Sequence, residues 1–294
     1  MQTRRSVVLN GDLGSGKTTV STLLSQRLGI RRISIGDLYR KMAEQRGMTA
    51  LQLNLHAELD DKIDHYIDQL QSDVAASGEP LIVDSRLAWH FFTDALKVHM
   101  IAEPTVAAQR VLARPADDVE SYASIDEART RLAVRSESER MRFLTRYGVD
   151  KTRLRNYDLV CDSTSATPEQ IAECIVAHLT APPTGTTPPV CHLDPHRIYP
   201  TTDRSGTGEL SVGYRAPYFY AVDGHQRLGA AVRDGAPLIT ATLAAEAGEP
   251  IDGQTAEEYF ATHVTPARIR AWEDDHGITL PPIEDRQPAA SSER

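Results

Sequence analysis

The segment SVVLNGDLGSGKTTV, residues 6–20, contains the pattern that decides the fold. A short apolar run from Val7 to Leu9 comes directly before the octapeptide GDLGSGKT, residues 11–18, which matches G-x-x-x-x-G-K-[ST]. A helical pattern then starts at Thr18. Strand, glycine-rich loop and helix follow in the order in which this motif forms a phosphate-binding loop.

This loop has a definite chemistry. The glycines allow successive backbone N–H groups to surround a phosphate, and the helix N-terminus adds a partial positive charge. Lys17 is expected to bridge the β- and γ-phosphates as a catalytic charge, and the Thr18 hydroxyl to ligate Mg²⁺. The sequence therefore predicts a nucleoside triphosphate site formed by Gly11, Asp12, Leu13, Gly14, Ser15, Gly16, Lys17, Thr18 and Thr19.

The first 180 residues alternate between two kinds of pattern. Five short apolar runs (SVVLN, RRISI, PLIVDS, LKVHMIA and YDLVCDS) are separated by amphipathic segments. Parallel strands need crossover helices, so this alternation predicts a three-layer α/β fold around a parallel sheet. The predicted helices span residues 18–28, 38–46, 58–76, 104–113, 125–147 and 168–178, and the arginine-rich stretch 127–148 is expected to form a helical hairpin.

Charged side chains follow the second and third predicted strands. Arg40 and Arg86 lie near strand ends that converge on the ligand crevice of such sheets, where two guanidinium groups can bind a substrate phosphate. Asp84 ends the third strand, where a carboxylate either ligates a magnesium-bound water or caps a turn. These residues predict an acceptor site beside the triphosphate.

The order of these motifs resembles the archaeal-type cytidylate kinase-like branch of the nucleoside monophosphate kinases. The resemblance extends over residues 5–179 and rests on the phosphate-binding loop, GDLYR (36–40), RLAW (86–89), RSESERMRFLTRYGVD (135–150) and YDLVCDST (157–164). It implies that ATP is the phosphoryl donor, that Mg²⁺ is the cofactor and that CMP or dCMP is the acceptor.

The resemblance also implies roles for individual residues. Asp37, Arg40 and Arg86 would hold the acceptor, and Arg135 and Arg140 would be catalytic arginines of a mobile lid. Basic residues near the ATP side would be Arg110 and Arg114. The sequence departs from the family pattern in two places: it reads RLAW instead of RLAGW, and Asp84-Ser85 stands where Glu-Gly is usual. Base specificity depends most on these departures.

The chain divides at a linker. Residues 181–190, APPTGTTPPV, combine proline, glycine and threonine between a helical pattern and a strand pattern. We expect a kinase-like domain at 1–180, a smaller α+β domain at 191–285 and a frayed tail at 286–294.

The second domain has its own motif. Residues 218–243 follow the order strand, Asp-Gly turn, helix, loop, strand, and they resemble the ParB-like and sulfiredoxin-like fold over about 191–245. The DGHxR signature of that fold matches Asp223, Gly224, His225, Gln226 and Arg227, which implies a nucleotide-binding loop. A plain strand-to-helix turn is the alternative interpretation.

Composition excludes several classes of protein. The net charge is −9, and after Thr180 there are 9 arginines, no lysine and 16 acidic residues. Such an acidic second half makes DNA binding unlikely, because that binding needs basic surfaces. No apolar run approaches the roughly 20 residues that span a bilayer. Three cysteines without a CxxC pair are typical of a reduced compartment, so we expect a cytoplasmic protein.

Three functions are consistent with the sequence. The first is phosphorylation of a nucleoside monophosphate. A second is phosphorylation of a hydroxyl group on a small metabolite or modified nucleotide. A third is a regulator in which a degenerate kinase domain senses nucleotide for the ParB-like domain. Arg40 together with Arg86 favours the first over the second, and the intact Lys17 and Thr18 disfavour the third.

Overall fold

The computed structural model describes residues 5–48, 62–113, 122–180, 188–202 and 207–283. The chain forms two compact units, residues 1–192 and 193–294. We describe each unit separately.

The first unit is organised around a parallel sheet. Its strands are β1 (Val7–Gly11), β2 (Arg32–Ser34), β3 (Ile82–Asp84), β4 (Leu96–Ile101), β5 (Leu159–Asp162) and β6 (Val190–Leu193). They are arranged in the order β2-β3-β1-β4-β5-β6, and every neighbouring pair is parallel. Buried aliphatic side chains such as Val8, Val98 and Leu159 fill the central strands. The predicted parallel α/β fold is confirmed.

Seven helices accompany these strands in the described residues. They are α1 (Lys17–Leu28), α2 (Ile35–Gln45), α3 (Lys62–Ala76), α4 (Ala88–Phe91), α5 (Pro104–Leu112), α6 (Ile125–Tyr147) and α7 (Pro168–Thr180). Helix α2 begins three residues earlier than predicted, because the Ser34 hydroxyl accepts a hydrogen bond from the Asp37 N–H at 3.2 Å and so acts as a cap. Residues 58–61 of the predicted third helix lie outside the described residues.

The expected helical hairpin at 127–148 is wrong. Residues 125–147 form the single helix α6, 23 residues long. Ser124 caps its start by accepting from the Glu127 N–H, and Gly148 ends it with φ 68°. No glycine or proline lies between these caps, so no residue breaks the backbone ladder.

The second unit combines a small sheet with three helices. Its main strands are ordered β10-β8-β9-β7, and β8 and β9 are antiparallel. The bounds are β7 (Ile198–Tyr199), β8 (Ser211–Arg215), β9 (Tyr218–Asp223), β10 (Ile239–Ala245), β11 (Pro250–Ile251), β12 (Gln254–Thr255), α8 (His225–Arg233), α9 (Ala256–His263) and α10 (Pro266–His276). The strand-turn-helix order predicted around Asp223 is present. The relation to the ParB-like fold stays a prediction.

The junction between the predicted domains differs in detail from the expectation. Residues 181–187 of the predicted linker, residues 284–285 at the end of the predicted second domain and the predicted tail at 286–294 lie outside the described residues. Val190, Cys191 and His192 pair with β5, so the end of the linker is a strand of the parallel sheet. Among the described helices, none is long and apolar enough to cross a membrane.

Candidate active site

The phosphate-binding loop connects β1 to α1 under tight steric constraints. The Asp12 N–H donates to the Met100 carbonyl oxygen at 2.8 Å, which ties the start of the loop to β4. Gly14 has φ 81°, and a Cβ there would lie 2.6 Å from the Ala107 carbonyl oxygen. Gly16 caps α1 with φ 82°. Side chains at these two glycines would be strained, so the loop sequence is dictated by its backbone.

Lys17 lies over this loop. Its Nζ donates to the carbonyl oxygens of Gly11 at 2.7 Å and Asp12 at 2.8 Å. Burial, followed by the charge of Arg86, lowers the pKa of Lys17 to about 8. A triphosphate beside this amine would supply the negative charge that restores a higher pKa.

A hydroxyl and a carboxylate meet at the start of α1. The Thr18 Oγ1 donates to Asp84 Oδ2 at 3.1 Å, and Arg32 Nη2 binds the same oxygen at 3.0 Å. Arg32 also reaches Asp37 Oδ2 at 3.4 Å. Arg32 was not among the site residues predicted from the sequence. The pairing of β2 with β3 could have indicated it. Parallel pairing places Ser34, at the end of β2, opposite Asp84, at the end of β3, so side chains of β2 lie close to Asp84.

A second charged cluster surrounds Glu139, a residue of α6 with 8% exposure. Its carboxylate binds Arg86 Nη1, Lys151 Nζ at 2.9 Å and Arg135 Nε at 3.5 Å. Burial, followed by the charge of Arg86, lowers the pKa of Lys151 to about 8. Three cations thus contact one carboxylate, and such a cluster of cations is suited to phosphate groups.

The structure brings Arg86 and Arg135 together but places Arg140 elsewhere. Arg140 binds Glu137 at 3.0 Å and Asp150 at 2.8 Å. Arg142, which the sequence analysis did not assign to the site, instead contributes to the electrostatic lowering of the Lys151 pKa. A cavity of about 560 Å³ runs along the same face of α6, and its lining includes Arg135, Glu139 and Arg142.

Of three other predicted arginines, the structure describes the side chain of Arg110. Arg110 donates to the Ser163 carbonyl oxygen at 2.6 Å and to Ser163 Oγ at 3.0 Å, and Ser163 Oγ in turn donates to the Ser15 carbonyl oxygen at 2.9 Å. Arg110 therefore supports the phosphate-binding loop from the end of β5. Arg114 and the side chain of Arg40 lie outside the described residues.

A buried polar chain behind the loop was also missed. Asn10 Nδ2 donates to His99 Nδ1 at 3.1 Å and to the Tyr157 hydroxyl, which donates to the Lys151 carbonyl oxygen at 2.7 Å. These contacts connect β1, β4 and the segment that carries Lys151. His99 also lies near the phosphate-binding loop, because its Nε2 is 4.0 Å from Asp12 Oδ1.

The DGHQR motif of the second unit lies at the turn between β9 and α8. Asp223 Oδ1 accepts from the Gly224 N–H at 2.6 Å, and Arg227 binds Glu209 at 2.7 Å. Gln226 and Arg227 are exposed, whereas His225 is buried with 4% exposure. The motif therefore divides between a solvated surface and the interior.

Known proteins match the first unit. A family model described as an AAA domain matches residues 7–139. A cytidylate kinase from Methanobrevibacter smithii is 37% identical over 173 residues, which are 59% of this chain and 97% of that protein. A cytidylate kinase from Archaeoglobus fulgidus is 34% identical over 171 residues, which are 58% of this chain and 92% of that protein.

The strand, loop and helix that hold Lys17 and Thr18 define a P-loop nucleotide-binding protein. Because identities of 34 to 37% extend over nearly the whole length of these relatives, the chain belongs, through its first unit, to the cytidylate kinase family. The protein is an ATP-dependent phosphotransferase.

Proposed function

We propose that the chain transfers the γ-phosphoryl group of ATP to CMP or dCMP. The observation that carries this proposal is the position of Arg86. It stands two residues after β3, acts electrostatically on Lys17 and is paired with a buried carboxylate of α6. An anionic acceptor explains a guanidinium group there better than a neutral hydroxyl does. The names of the relatives support cytidylate as that acceptor.

The reaction needs positioning and charge neutralisation more than a base. A monophosphate acceptor is already an ionised nucleophile, so its oxygen attacks the γ-phosphorus without losing a proton to the protein. In the proposed arrangement Lys17 and the loop N–H groups hold the donor phosphates. Arg86 and Arg40 hold the acceptor phosphate, Asp37 contacts another part of the acceptor nucleotide, and Arg135 stabilises the charge on the transferring group. Arg140 has no part in this arrangement, because it pairs with Glu137 and Asp150.

The residues at the start of α1 are suited to a magnesium ion. Thr18 and Asp84 offer hard oxygen ligands side by side, and Asp84 is 8% exposed. In the described residues no three acidic, histidine or cysteine side chains cluster, so most of the coordination would come from phosphates and water. When bound, Mg²⁺ would neutralise charge on the β- and γ-phosphates.

A coupled assay of the purified full chain tests the acceptor class. ATP is supplied with CMP, dCMP, UMP, AMP, free serine or no acceptor, and ADP formation is followed. We expect turnover with CMP or dCMP. We expect none in Lys17→Ala, because this variant lacks the positive charge that stabilises the γ-phosphate during transfer. Removing one preorganised group of this kind changes rates by roughly 10² or more. Turnover with serine alone would replace the proposal with a hydroxyl kinase.

The variant Arg86→Ala tests the acceptor site directly. A charge-assisted bidentate bond is worth about 1.5 to 3 kcal/mol, so the KM for CMP should rise roughly 10- to 150-fold while the KM for ATP changes little. Arg86→Lys should not restore the KM, because a point charge cannot replace the planar fork. The measurement is steady-state kinetics with each substrate varied in turn.

Arg31→Ala is the matched control, because Arg31 comes just before β2, at the opposite end of the parallel sheet from Arg86, and its side chain is 58% exposed and pairs with Glu79 at 2.7 Å. Its kinetics should equal those of the unmodified chain. If Arg86→Ala raises the KM for ATP and leaves the KM for CMP unchanged, the acceptor site has been assigned to the wrong residues.

A further inference from the structure

Lys151 is a buried cation to which the proposed reaction assigns no role. It comes directly after the motif RSESERMRFLTRYGVD, which ends at Asp150, and no site residue predicted from the sequence falls on it. Lys151 is 8% exposed, and its Nζ donates to Glu139 Oε2 at 2.9 Å. An ammonium group has three N–H donors, and in the described part of the chain Glu139 is its one hydrogen-bond acceptor. Lys151 can therefore donate to further acceptors.

The turn that carries Lys151 is held in place on both sides. Asp150, the preceding residue, accepts from Arg140 Nε at 2.8 Å. The Lys151 carbonyl oxygen accepts from the Tyr157 hydroxyl at 2.7 Å, and that hydroxyl accepts from Asn10 Nδ2. Asn10 is the residue directly before the phosphate-binding loop. These hydrogen bonds fix the backbone of Lys151 relative to that loop.

The charges around Lys151 belong to both the donor side and the acceptor side of the site. Its carboxylate partner also binds Arg86, the proposed ligand of the acceptor phosphate. After burial, the charge of Arg86 is the next cause that lowers the pKa of both Lys151 and Lys17. The Asp12 carboxylate, in the phosphate-binding loop, opposes the lowering of the Lys151 pKa. Lys151 therefore lies within electrostatic range of both sides, between which the γ-phosphoryl group moves during transfer.

Lys151 also occupies a position that the sequence led us to expect for an arginine. The resemblance implied two catalytic arginines on α6, but Arg140 is paired with two carboxylates away from the cluster. Lys151 Nζ instead shares the Glu139 carboxylate with Arg135 Nε, at 2.9 and 3.5 Å. Preorganised cations stabilise the charge on the oxygens of a transferring phosphoryl group. Lys151 and Arg135 together supply two such cations.

We propose that Lys151 is a catalytic residue that exchanges Glu139 for the γ-phosphoryl group of ATP and stabilises that group during its transfer. A phosphate oxygen replaces the Glu139 oxygen as the acceptor, and the ammonium group keeps its proton, so Lys151 contributes charge and hydrogen bonds only. This inference rests on the proposed transfer of the γ-phosphoryl group from ATP, but not on the identity of the acceptor.

Calorimetry on the full chain, with Mg²⁺ and without acceptor, tests the contact. It compares a non-hydrolysable ATP analogue with ADP, which lacks the γ-phosphoryl group. Lys151→Met keeps the length of the side chain but removes its charge, so the affinity for the ATP analogue should fall roughly tenfold or more while the affinity for ADP changes little. Equal losses for both nucleotides, or no loss for either, would overturn the proposal.

Lys97→Met is the matched control for this experiment. Lys97 is half-buried near the start of β4, whereas Met100, further along the same strand, binds the phosphate-binding loop through its carbonyl oxygen. The affinities of Lys97→Met for both nucleotides should equal those of the unmodified chain.

A double-mutant cycle separates contact with phosphate from pairing with Glu139. Lys151→Met alone leaves the Glu139 carboxylate with one partner fewer, which also disturbs Arg86 and Arg135. The substitution is therefore repeated in Glu139→Gln, and kcat is measured with the acceptor that the unmodified chain phosphorylates. We expect kcat to fall roughly 10²-fold or more in both backgrounds, because the lost charge acts on the transferring group. A fall confined to the background that retains Glu139 would show that Lys151 only neutralises this carboxylate.

Circular dichroism establishes that each variant folds. If Lys151→Met alone does not fold, the two nucleotides are compared between Glu139→Gln and the double variant, in which no buried carboxylate has lost its partner. A chain that does not phosphorylate CMP would contradict the proposed acceptor, whereas the nucleotide affinities would still decide the role of Lys151.

Discussion

His99 is a buried imidazole that the folded protein keeps neutral. It is 6% exposed, stacks on Tyr157 at 4.6 Å and accepts a hydrogen bond from Asn10. Burial, followed by the charges of Lys17 and Lys151, lowers the pKa of His99 to about 3. A protonated ring would add a third positive charge next to the phosphate-binding loop, so neutrality suits the site.

This pKa predicts a pH dependence of stability. The unfolded chain takes up a proton at His99 near pH 6.5, whereas the folded protein does so only near pH 3. The free energy of unfolding therefore falls as the pH drops below 6.5, by up to about 1.4 kcal/mol per pH unit. His99→Gln lacks this contribution, so the stability difference between the two proteins should change by about 2 kcal/mol between about pH 7 and about pH 5.

Urea unfolding at both pH values measures this change, and the exposed His65→Gln serves as the control. If the difference in free energy of unfolding between His99→Gln and the unmodified chain is the same at both pH values, the ring is not held neutral in the folded protein.

Helix α6 contributes the carboxylate at the centre of the charged cluster in the first unit. It turns Glu139 into the interior while Val134 and Met141, on the same helix, are 66% and 51% exposed. The Glu139 carboxylate pairs with Arg86, Lys151 and Arg135. In the proposed arrangement, Arg86 and Arg135 also bind substrate phosphates. A bound phosphate must therefore compete with this carboxylate.

Glu139→Gln should make the free protein less stable and its response to ligand larger. Removing one member of a buried charge cluster costs about 3 to 5 kcal/mol, because the remaining cations lose their counter-charge. A nucleotide then supplies the missing negative charge, so the rise in Tm on adding CMP with ATP should exceed that of the unmodified chain.

Thermal unfolding with and without nucleotide measures both effects. Glu137→Gln is the control, because Glu137 is 56% exposed and pairs with Arg140 on the outer side of α6. A nucleotide-induced shift in Glu139→Gln no larger than in Glu137→Gln would show that the carboxylate does not compete with substrate.

At the scale of the whole molecule, the first unit corresponds in length to a complete relative. The match to the Methanobrevibacter smithii protein covers 97% of that protein in 173 residues. Strand β6 nevertheless begins at the last residue of the predicted linker and pairs with β5 through Val190, Cys191 and His192. The edge of the parallel sheet is therefore completed by residues beyond the helix that ends at Thr180.

Two truncations separate activity from stability. A chain ending after Asp194 should keep CMP phosphorylation with nearly unchanged kinetics. A chain ending after Thr180 lacks β6 and exposes the edge of β5, so its Tm should be lower by about 3 °C or more, on the scale of one or two lost hydrogen bonds. Thermal unfolding followed by circular dichroism measures the Tm, and the coupled assay measures CMP phosphorylation. A folded but inactive chain ending after Asp194 would show that the second unit completes the active site.

The phosphate-binding loop, the parallel sheet and the kinase family were predictable from the sequence, because each depends on local signals. Residues 11–18 are contiguous, and the strand and helix patterns are periodicities of apolar side chains within short segments. The tertiary structure decided which charged groups meet. Glu139 lies 53 positions from Arg86 and 12 from Lys151, and Asn10 lies 147 positions from Tyr157. Such contacts depend on the register of parallel strands and the direction of α6, which no local pattern encodes.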